Sequence, residues 1–486
     1  MFAKGFYRQP AGGVLFEHQS PKLFFFDRPS RTCHGKAPKL EETNPANLNH
    51  PTRCTSQNAH VEKIVNKPAA SIPKINECWK DTKATYRLLD CPEATLQSVT
   101  AAHRERLAQR EGVQLILSDT CHIDFGRGRK VRGAGPVGPG KSVGFLLHSA
   151  LAYDAADHSI LGVAGQIAHV RSGKNGKRRE SEKGKQWAES NLWSELFQQV
   201  GPSSEQTQRI HVCDSAADDY ENFFTAIENL GSDVIIRCGR VHRHVIDQNG
   251  EKRSISKTIQ DAKVIGGYRL EIPRRGGRKA RTAKLEISTK KVFMPQPRFC
   301  SEQVKASERN GLELTIVIAR EIDPPRGAEP ICWILLTSLP VSDLFAAMMV
   351  IQSYELRWQI EEWHKAIKTG CALESSQHQD IDRLLPLTGI YSVVAVLLLQ
   401  LRESSRRMPH RPAEQVVPKR WIDMLMAIGS RSRRPHTAEQ LWRAIAQLGG
   451  FLNRKGDGNP GWQTIWSGWR QLHMAMRGYD AMQDSA

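Results

Sequence analysis

One stretch, Tyr354 to Lys368, most constrains the fold, because its apolar residues recur at helical spacing in the string YELRWQIEEWHKAIK. At about 100° per residue, four apolar side chains fall on one arc and can face a core: Leu356, Ile360, Trp363 and Ile367. An opposite arc, about 80° wide, carries Tyr354, Arg357, Glu361, Lys365 and Lys368. The stretch therefore predicts a helix that is buried on one side.

The polar arc of this helix combines one carboxylate with three cations and a tyrosine, and its charges do not alternate in sign. Such a set suits a carboxylate that binds a metal ion beside cations that bind phosphates. An ordinary amphipathic helix with an ion pair between Glu361 and Lys365 fits the same spacing. Spacing alone leaves both interpretations open.

The spacing Tyr-x2-Arg-x3-Glu-x6-Lys is similar to the YREK signature of bacterial DDE transposases. The longer string from Tyr354 to Gly370 resembles the insertion sequence 4 family, and its Tn-five type in particular. The resemblance implies that Glu361 is the third metal ligand of a catalytic triad. It also implies roles in phosphate or DNA contact for four residues: Tyr354, Arg357, Lys365 and Lys368.

The same resemblance implies two catalytic aspartates upstream, each at the end or edge of a strand. Asp119 ends the apolar run that begins at Val113, and Asp214 ends the run that begins at Arg209. Asp214 and Glu361 are 147 residues apart, which is long for a bare RNase H-like core. The Tn-five type has a β-rich insertion there, and residues 238–330 match that expectation.

Four further positions carry a DNA-binding role only through the resemblance. Trp333, in an apolar strand, matches a tryptophan that stacks on a flipped base, although such a residue alone more often belongs to a core. Arg237 matches a DNA-contacting arginine at a strand end. Tyr86 and Arg87 match a pair in the family's N-terminal DNA-binding domain.

Strand-like runs interleaved with helical segments predict an α/β fold, here an RNase H-like catalytic core with helices on both faces. The predicted order is an irregular arm (1–65), a partial helical DNA-binding domain (66–110) and the first part of the core (111–237). A β-rich insertion (238–330), the second part of the core with the signature helix (331–400) and a helical C-terminal region (401–486) follow. That last region is rich in tryptophan and resembles a region that carries dimer contacts. A packed helical cap explains its periodicity equally well.

The resemblance implies a metal-dependent cut-and-paste transposase that nicks element ends, forms and opens a hairpin, and transfers strands to target DNA. Its implied cofactor is Mg²⁺, as two ions with Mn²⁺ as a substitute, and its implied partners are DNA and a second copy of the chain in a synaptic complex. Two other functions remain open: a metal-dependent structure-specific nuclease, and an inactive or regulatory DNA-binding derivative. The second has support from the N-terminal arm, where the family's Arg-rich helix has no counterpart before residue 60.

Composition agrees with a polyanion-binding protein, because the formal net charge is +18 in 486 residues. Basic residues recur in predicted loops around the three acids, which favours a DNA groove: Arg127, Arg129, Lys130 and Arg132; Lys174, Lys177, Arg178 and Arg179; Arg274, Arg275, Arg278, Lys279 and Arg281; Arg402, Arg406, Arg407, Arg411, Lys419 and Arg420.

Ten cysteines are scattered without CxxC spacing, which argues against a zinc site and fits a reducing cytoplasm. Cys121 and Cys213 lie close to Asp119 and Asp214 and are interpreted as packing residues. The apolar run from Val393 to Leu401 is too short to span a membrane and predicts a core helix.

Overall fold

The structure, a computed structural model, describes residues 71–76, 78–138, 142–171, 189–272, 281–429 and 433–483. These residues belong to one compact unit. The predicted N-terminal arm lies outside the described residues, as do the basic clusters at 174–179 and 274–279.

A single mixed sheet of twelve strands forms the centre of the described part. Its strands, in chain order, are β1 (Gly112–Arg127), β2 (Gly135–Pro136), β3 (Ser142–Asp154), β4 (Ile160–His169), β5 (Thr207–Cys213), β6 (Asp233–Arg237), β7 (His244–Asp247), β8 (Lys252–Ser254), β9 (Val264–Ile272), β10 (Arg281–Pro295), β11 (Gly311–Ile322) and β12 (Cys332–Thr337). The strand order is β2-β3-β1-β5-β6-β12-β11-β10-β7-β8, with β4 beside β3 and β9 beside β10. The α/β class predicted from the sequence is confirmed.

The pairing changes direction near the middle of the sheet. β1, β5 and β6 are parallel neighbours, whereas the pairs on either side of them are antiparallel. Strands β7 to β11 lie within the predicted insertion, and β11 pairs with β12 from Thr315–Thr337 to Arg320–Cys332. The segment predicted as an insertion therefore continues the central sheet.

Helices cover the sheet and form the C-terminal region. They are α1 (Ile72–Ile75), α2 (Trp79–Leu89), α3 (Leu96–Val99), α4 (Ala101–Ala108), α5 (Asn191–Val200), α6 (Tyr220–Phe224), α7 (Ile255–Thr258), α8 (Glu302–Ala306), α9 (Leu344–Leu356), α10 (Trp358–Lys365), α11 (Ile381–Arg407), α12 (Lys419–Ile428), α13 (Ala438–Leu448) and α14 (Trp462–Gln483). A π-helical turn at Ala366–Gly370 follows α10.

The signature stretch is not the one long helix that the sequence predicts. Arg357 lies between α9 and α10, and the π-helical turn replaces the last α-helical residues. The predicted buried arc is confirmed at Ile360, Trp363 and Ile367, which are fully buried, whereas Leu356 is only half-buried. Tyr354, placed on the polar arc, is also buried, because its ring packs against Trp333 of β12.

Helix α11 supplies much of the core beneath the signature stretch. Trp363 donates its indole N–H to the backbone oxygen of Ser392 at 3.1 Å. By length and composition, the segment Ile381–Gln400 is apolar enough to cross a membrane, and it is longer than the run predicted from Val393 to Leu401. Because 72% of its most apolar window is buried inside the protein, the segment has the packing of a core helix.

The C-terminal region packs around tryptophans. The rings of Trp421 and Trp469 stack with centroids 5.3 Å apart, and Trp442 lies 5.5 Å from Trp469. Gly468 permits α14 to approach α13, since a Cβ there would lie 1.6 Å from the backbone oxygen of Ile445. The tight crossing follows from the missing side chain.

Candidate active site

Two of the predicted acids lie side by side because of the strand register. β1 and β5 are parallel, and Leu117 pairs with Val212. Asp119 and Asp214 each follow their member of this pair by two residues, and neighbouring strands lie about 5 Å apart. The two aspartates therefore occupy equivalent positions on adjacent strands. Asp119 lies within the long strand β1, whereas Asp214 follows β5 and caps a short 3-10 helix by accepting the backbone N–H of Ala216 at 2.9 Å.

Arg357 connects the third acid to this pair. Its Nη2 donates to Oε1 of Glu361 at 2.7 Å, and its Nη1 lies 3.7 Å from Oδ2 of Asp119. The side chains of Arg357 and Asp119 are only 15% and 17% exposed, so the contact is largely shielded from solvent. Asp119 and Glu361 thus contact one guanidinium group, and Asp214 acts on it electrostatically.

The electrostatics of the site reflect burial of like charges. Burial raises the pKa of Asp119 to about 6, with smaller upward contributions from Asp214 and Glu361, while Arg357 opposes the shift. Burial is also the largest effect on the pKa of Arg357 and lowers it, but the surrounding acids and Tyr354 raise it on balance. Burial is therefore the main reason why charge on Asp119 is unfavourable, and the contact with Arg357 offsets it only in part.

Carboxylate oxygens are suitable ligands for Mg²⁺, so the donor chemistry of the three acids fits the implied metal. In the described residues, however, no three His, Cys, Asp or Glu side chains converge closely enough to form a metal centre as they stand. The guanidinium group of Arg357 contacts both Asp119 and Glu361. If these acids were to hold a metal ion, Arg357 would have to give up these contacts.

The other signature residues lie near the acids. Burial raises the pKa of the Tyr354 phenol, and the guanidinium of Arg357 lies 6.0 Å from its ring. Lys365 is exposed. Lys368 is partly buried, and its Nζ donates to the backbone oxygen of His122 in β1 at 2.9 Å. It also lies 3.0 Å from Oε1 of Glu374.

Trp333 and Arg237 lie beside this group. The ring of Trp333 meets that of Tyr354 edge-on at 5.5 Å and remains partly accessible. Arg237 is exposed at the end of β6 and acts electrostatically on Tyr354. Tyr86 and Arg87 lie elsewhere, on α2, where the ring of Tyr86 contacts His378 in the loop after the signature stretch at 6.0 Å.

Several arginines of the predicted basic groove have partners within the protein. Arg129 donates to backbone oxygens of the loop that follows the π-helical turn, and Arg132 pairs with Asp380. Arg281 pairs with Glu321, and Arg402 is buried against Glu403. The assignment to a DNA-facing surface was wrong for Arg402, which is 4% exposed. The loop predicted at Arg402, Arg406 and Arg407 was also wrong, because all three lie in α11. Arg127 and Lys130 are exposed as predicted.

Sequence reasoning missed Glu374 and the backbone of β1 as partners of Lys368. An acidic residue six positions after the signature lysine was visible in the sequence. Its approach depends on the left-handed backbone of Ala372, with φ of 53°, which turns the chain back toward β1. The assignment of Cys121 and Cys213 to packing agrees with burial that raises the pKa of both thiols.

Residues 393–483 match the family model described as the transposase Tn5 dimerisation domain. The matched region begins within α11, which packs beneath the candidate site, and includes the tryptophan-rich helices α12 to α14. The match supports a transposase of the Tn5 type that forms a homodimer through its C-terminal region.

Proposed function

We propose that the chain is a DDE transposase of the insertion sequence 4 family, which moves a DNA element by metal-dependent cut-and-paste transposition. One observation carries the proposal: the register of β1 and β5 aligns Asp119 with Asp214, and Arg357 connects Asp119 to Glu361. The strand order β4-β3-β1-β5-β6 around these acids also supports an RNase H-like core. The C-terminal match supports the same class.

In this proposal Asp119, Asp214 and Glu361 hold two Mg²⁺ ions, which Mn²⁺ can replace. When bound, the ions stabilise charge on the attacking and leaving oxygens of a phosphodiester. Asp119 lies in β1, Asp214 directly follows β5 and Glu361 lies on α10, so the fold brings the three carboxylates to one region, and release of Arg357 would complete the metal site. Arg357 supplies the compensating charge until metal arrives.

The cations and aromatic rings around the acids orient the DNA backbone. Tyr354, Arg357, Lys365 and Lys368 contact phosphates, and Arg237 extends this surface along β6. Phosphate contacts fix the register of DNA but do not read its sequence. End recognition is assigned to the N-terminal helical region, with Tyr86 and Arg87 among its contacts.

The proposed reaction includes nicking at the element end, formation and opening of a hairpin, and strand transfer. A hairpin bends one strand sharply, and unstacking one base onto an aromatic ring eases such a bend. Trp333 presents a partly accessible ring beside Tyr354 and is the proposed platform. Cleavage takes place in a synaptic homodimer on paired ends.

The decisive test is Mg²⁺-dependent cleavage of a DNA fragment that carries the terminal repeat flanking the coding region. Wild type is compared with Glu361→Gln and with Glu362→Gln, a control with the same chemical change at the neighbouring position. We expect cleavage by wild type and the control, and loss of at least a hundredfold in Glu361→Gln. Equal cleavage by all three proteins would remove Glu361 from the site.

DNA binding without any cleavage by wild type would instead favour the regulatory DNA-binding derivative. Cleavage of branched DNA without joining to a target would favour the structure-specific nuclease.

A further inference from the structure

The segment after the signature stretch is held firmly against β1. Arg129 donates to the backbone oxygens of Glu374 at 3.3 Å and His378 at 2.9 Å, and also to that of Ser376. At the end of the segment, the backbone N–H of Arg132 donates to the oxygen of Gln379 at 2.8 Å. A loop with these contacts can hold a side chain in a fixed place.

Glu374 is the side chain that this loop directs at β1. Its Oε1 accepts the backbone N–H of Asp124 at 2.9 Å and lies 3.0 Å from Nζ of Lys368. The carboxylate is about 29% exposed and the lysine about 31%, so solvent weakens the ion pair only in part. Glu374 is thus fixed by backbone on one side and contacts the signature lysine on the other.

The edge of β1 explains why both side chains gather here. β5 pairs with β1 only from Gly112 to Leu117, so the later residues of β1 lack that neighbour. The oxygen of His122 and the N–H of Asp124 are instead satisfied by Lys368 and Glu374. These side chains thus replace the hydrogen bonds that a neighbouring strand would otherwise supply. Asp119 lies in the same strand, three residues before His122. The contact with His122 therefore fixes the distance between Nζ of Lys368 and this candidate acid.

We propose that Glu374 is a positioning residue for Lys368, an inference that rests on the proposed phosphate-contacting role of this lysine. A free lysine side chain samples many rotamers, and ordering it on DNA binding costs conformational entropy. Glu374 and the oxygen of His122 restrict Nζ before DNA arrives. A preorganised cation at the site stabilises charge without later rearrangement.

The test is a double-mutant cycle of Lys368→Ala and Glu374→Ala. It is measured both as the cleavage rate with Mg²⁺ and as the affinity for the end-bearing DNA without metal. We expect Lys368→Ala to reduce each quantity about tenfold in the wild-type background and less than threefold in the Glu374→Ala background. Equal factors in both backgrounds would overturn the inference, because a purely structural role of Glu374 leaves the contribution of Lys368 intact.

Removing the negative charge of Glu374 raises DNA affinity in general. This gain cancels when the effect of Lys368→Ala is compared between the wild-type and Glu374→Ala backgrounds, because it is present with and without the lysine. Glu302→Ala, which removes another carboxylate paired with a lysine, serves as the matched control, and Lys368→Ala should retain its tenfold effect there. Glu374→Gln keeps an oxygen for the Asp124 N–H and should restore most of the effect of Lys368. If wild type binds DNA without cutting it, the proposed activity fails while the binding cycle still decides the role of Glu374.

Discussion

Nη2 of Arg357 lies 2.7 Å from Oε1 of Glu361, so the acid assigned to metal binding already has a cationic partner. The two residues are one helical turn apart, and the guanidinium also reaches toward Asp119. Arg357 therefore has two competing interactions, with the acids before metal binds and with phosphate when DNA is present.

Replacing Arg357 with methionine should destabilise the metal-free protein by about 1–3 kcal/mol at pH 8, because it leaves partly buried carboxylates without a cation. The pKa of Asp119 in the folded protein is about 6, above its ordinary 3.8. Its ionisation therefore lowers the free energy of unfolding as pH rises from about 3.8 through 6. At pH 5 the loss should be smaller. Urea unfolding in EDTA at both pH values measures this, and an equal loss would contradict it.

Trp333→Ala should slow hairpin formation more than first-strand nicking, because only the hairpin requires an unstacked base. We expect about a tenfold difference between the two steps, measured by gel analysis of cleavage products over time. Trp333→Phe retains an aromatic surface and is the matched control. If Trp333→Ala slows both steps equally, the ring acts through its contact with Tyr354 and not through a base.

Trp363→Phe should lower the free energy of unfolding by about 1–3 kcal/mol, through the lost indole hydrogen bond to Ser392 and the lost volume. Trp363 is fully buried two residues after Glu361, so the variant should also slow cleavage by several-fold. Chemical denaturation and cleavage assays check the two effects. Unchanged stability would show that α11 does not support α10 as described.

His211→Leu should make the protein less sensitive to acid. Burial lowers the pKa of His211 to about 3, below its ordinary 6.5. Between these pH values the imidazole binds a proton in the unfolded state but not in the folded state, so the free energy of unfolding falls as pH drops from 6.5 toward 3. Each such histidine contributes about 1.4 kcal/mol per pH unit in that range.

The measurement is the difference in unfolding free energy between pH 7.5 and pH 5.5, which should shrink by about 1.4 kcal/mol in His211→Leu. In the described part of the chain, neither ring nitrogen of His211 has a hydrogen-bond partner, so the leucine variant should also be more stable at pH 5.5. An unchanged pH difference would be evidence against a neutral, buried imidazole.

The sequence predicted the strands near the acids well because their apolar runs are short and end in polar residues. The run predicted to begin at Arg209 lies in β5, and the strand end predicted at Arg237 is the last residue of β6. β1 extends to Arg127, beyond Asp119, where the predicted run ends. The extra length arises from pairing with β3, a tertiary contact that local composition does not encode.

The site was less predictable where it depends on interactions between distant segments. Periodicity could not show that Arg357 separates two helices or that Lys368 lies within a π-helical turn. Nor could it separate arginines that bind backbone oxygens, such as Arg129, from those that are exposed, such as Arg127. Charge composition indicates that cations are present, but their partners are set by the fold.

The pairing of β12 with β11 has a consequence for any attempt to shorten this protein. β12 lies between β6 and β11, so removing residues 238–330 would deprive it of its neighbour and leave a row of unpaired backbone amides and carbonyls. Such an uncovered strand is a template for pairing with another chain. A minimal version without these residues should therefore aggregate unless the exposed edge is capped by a replacement strand or interrupted by charges.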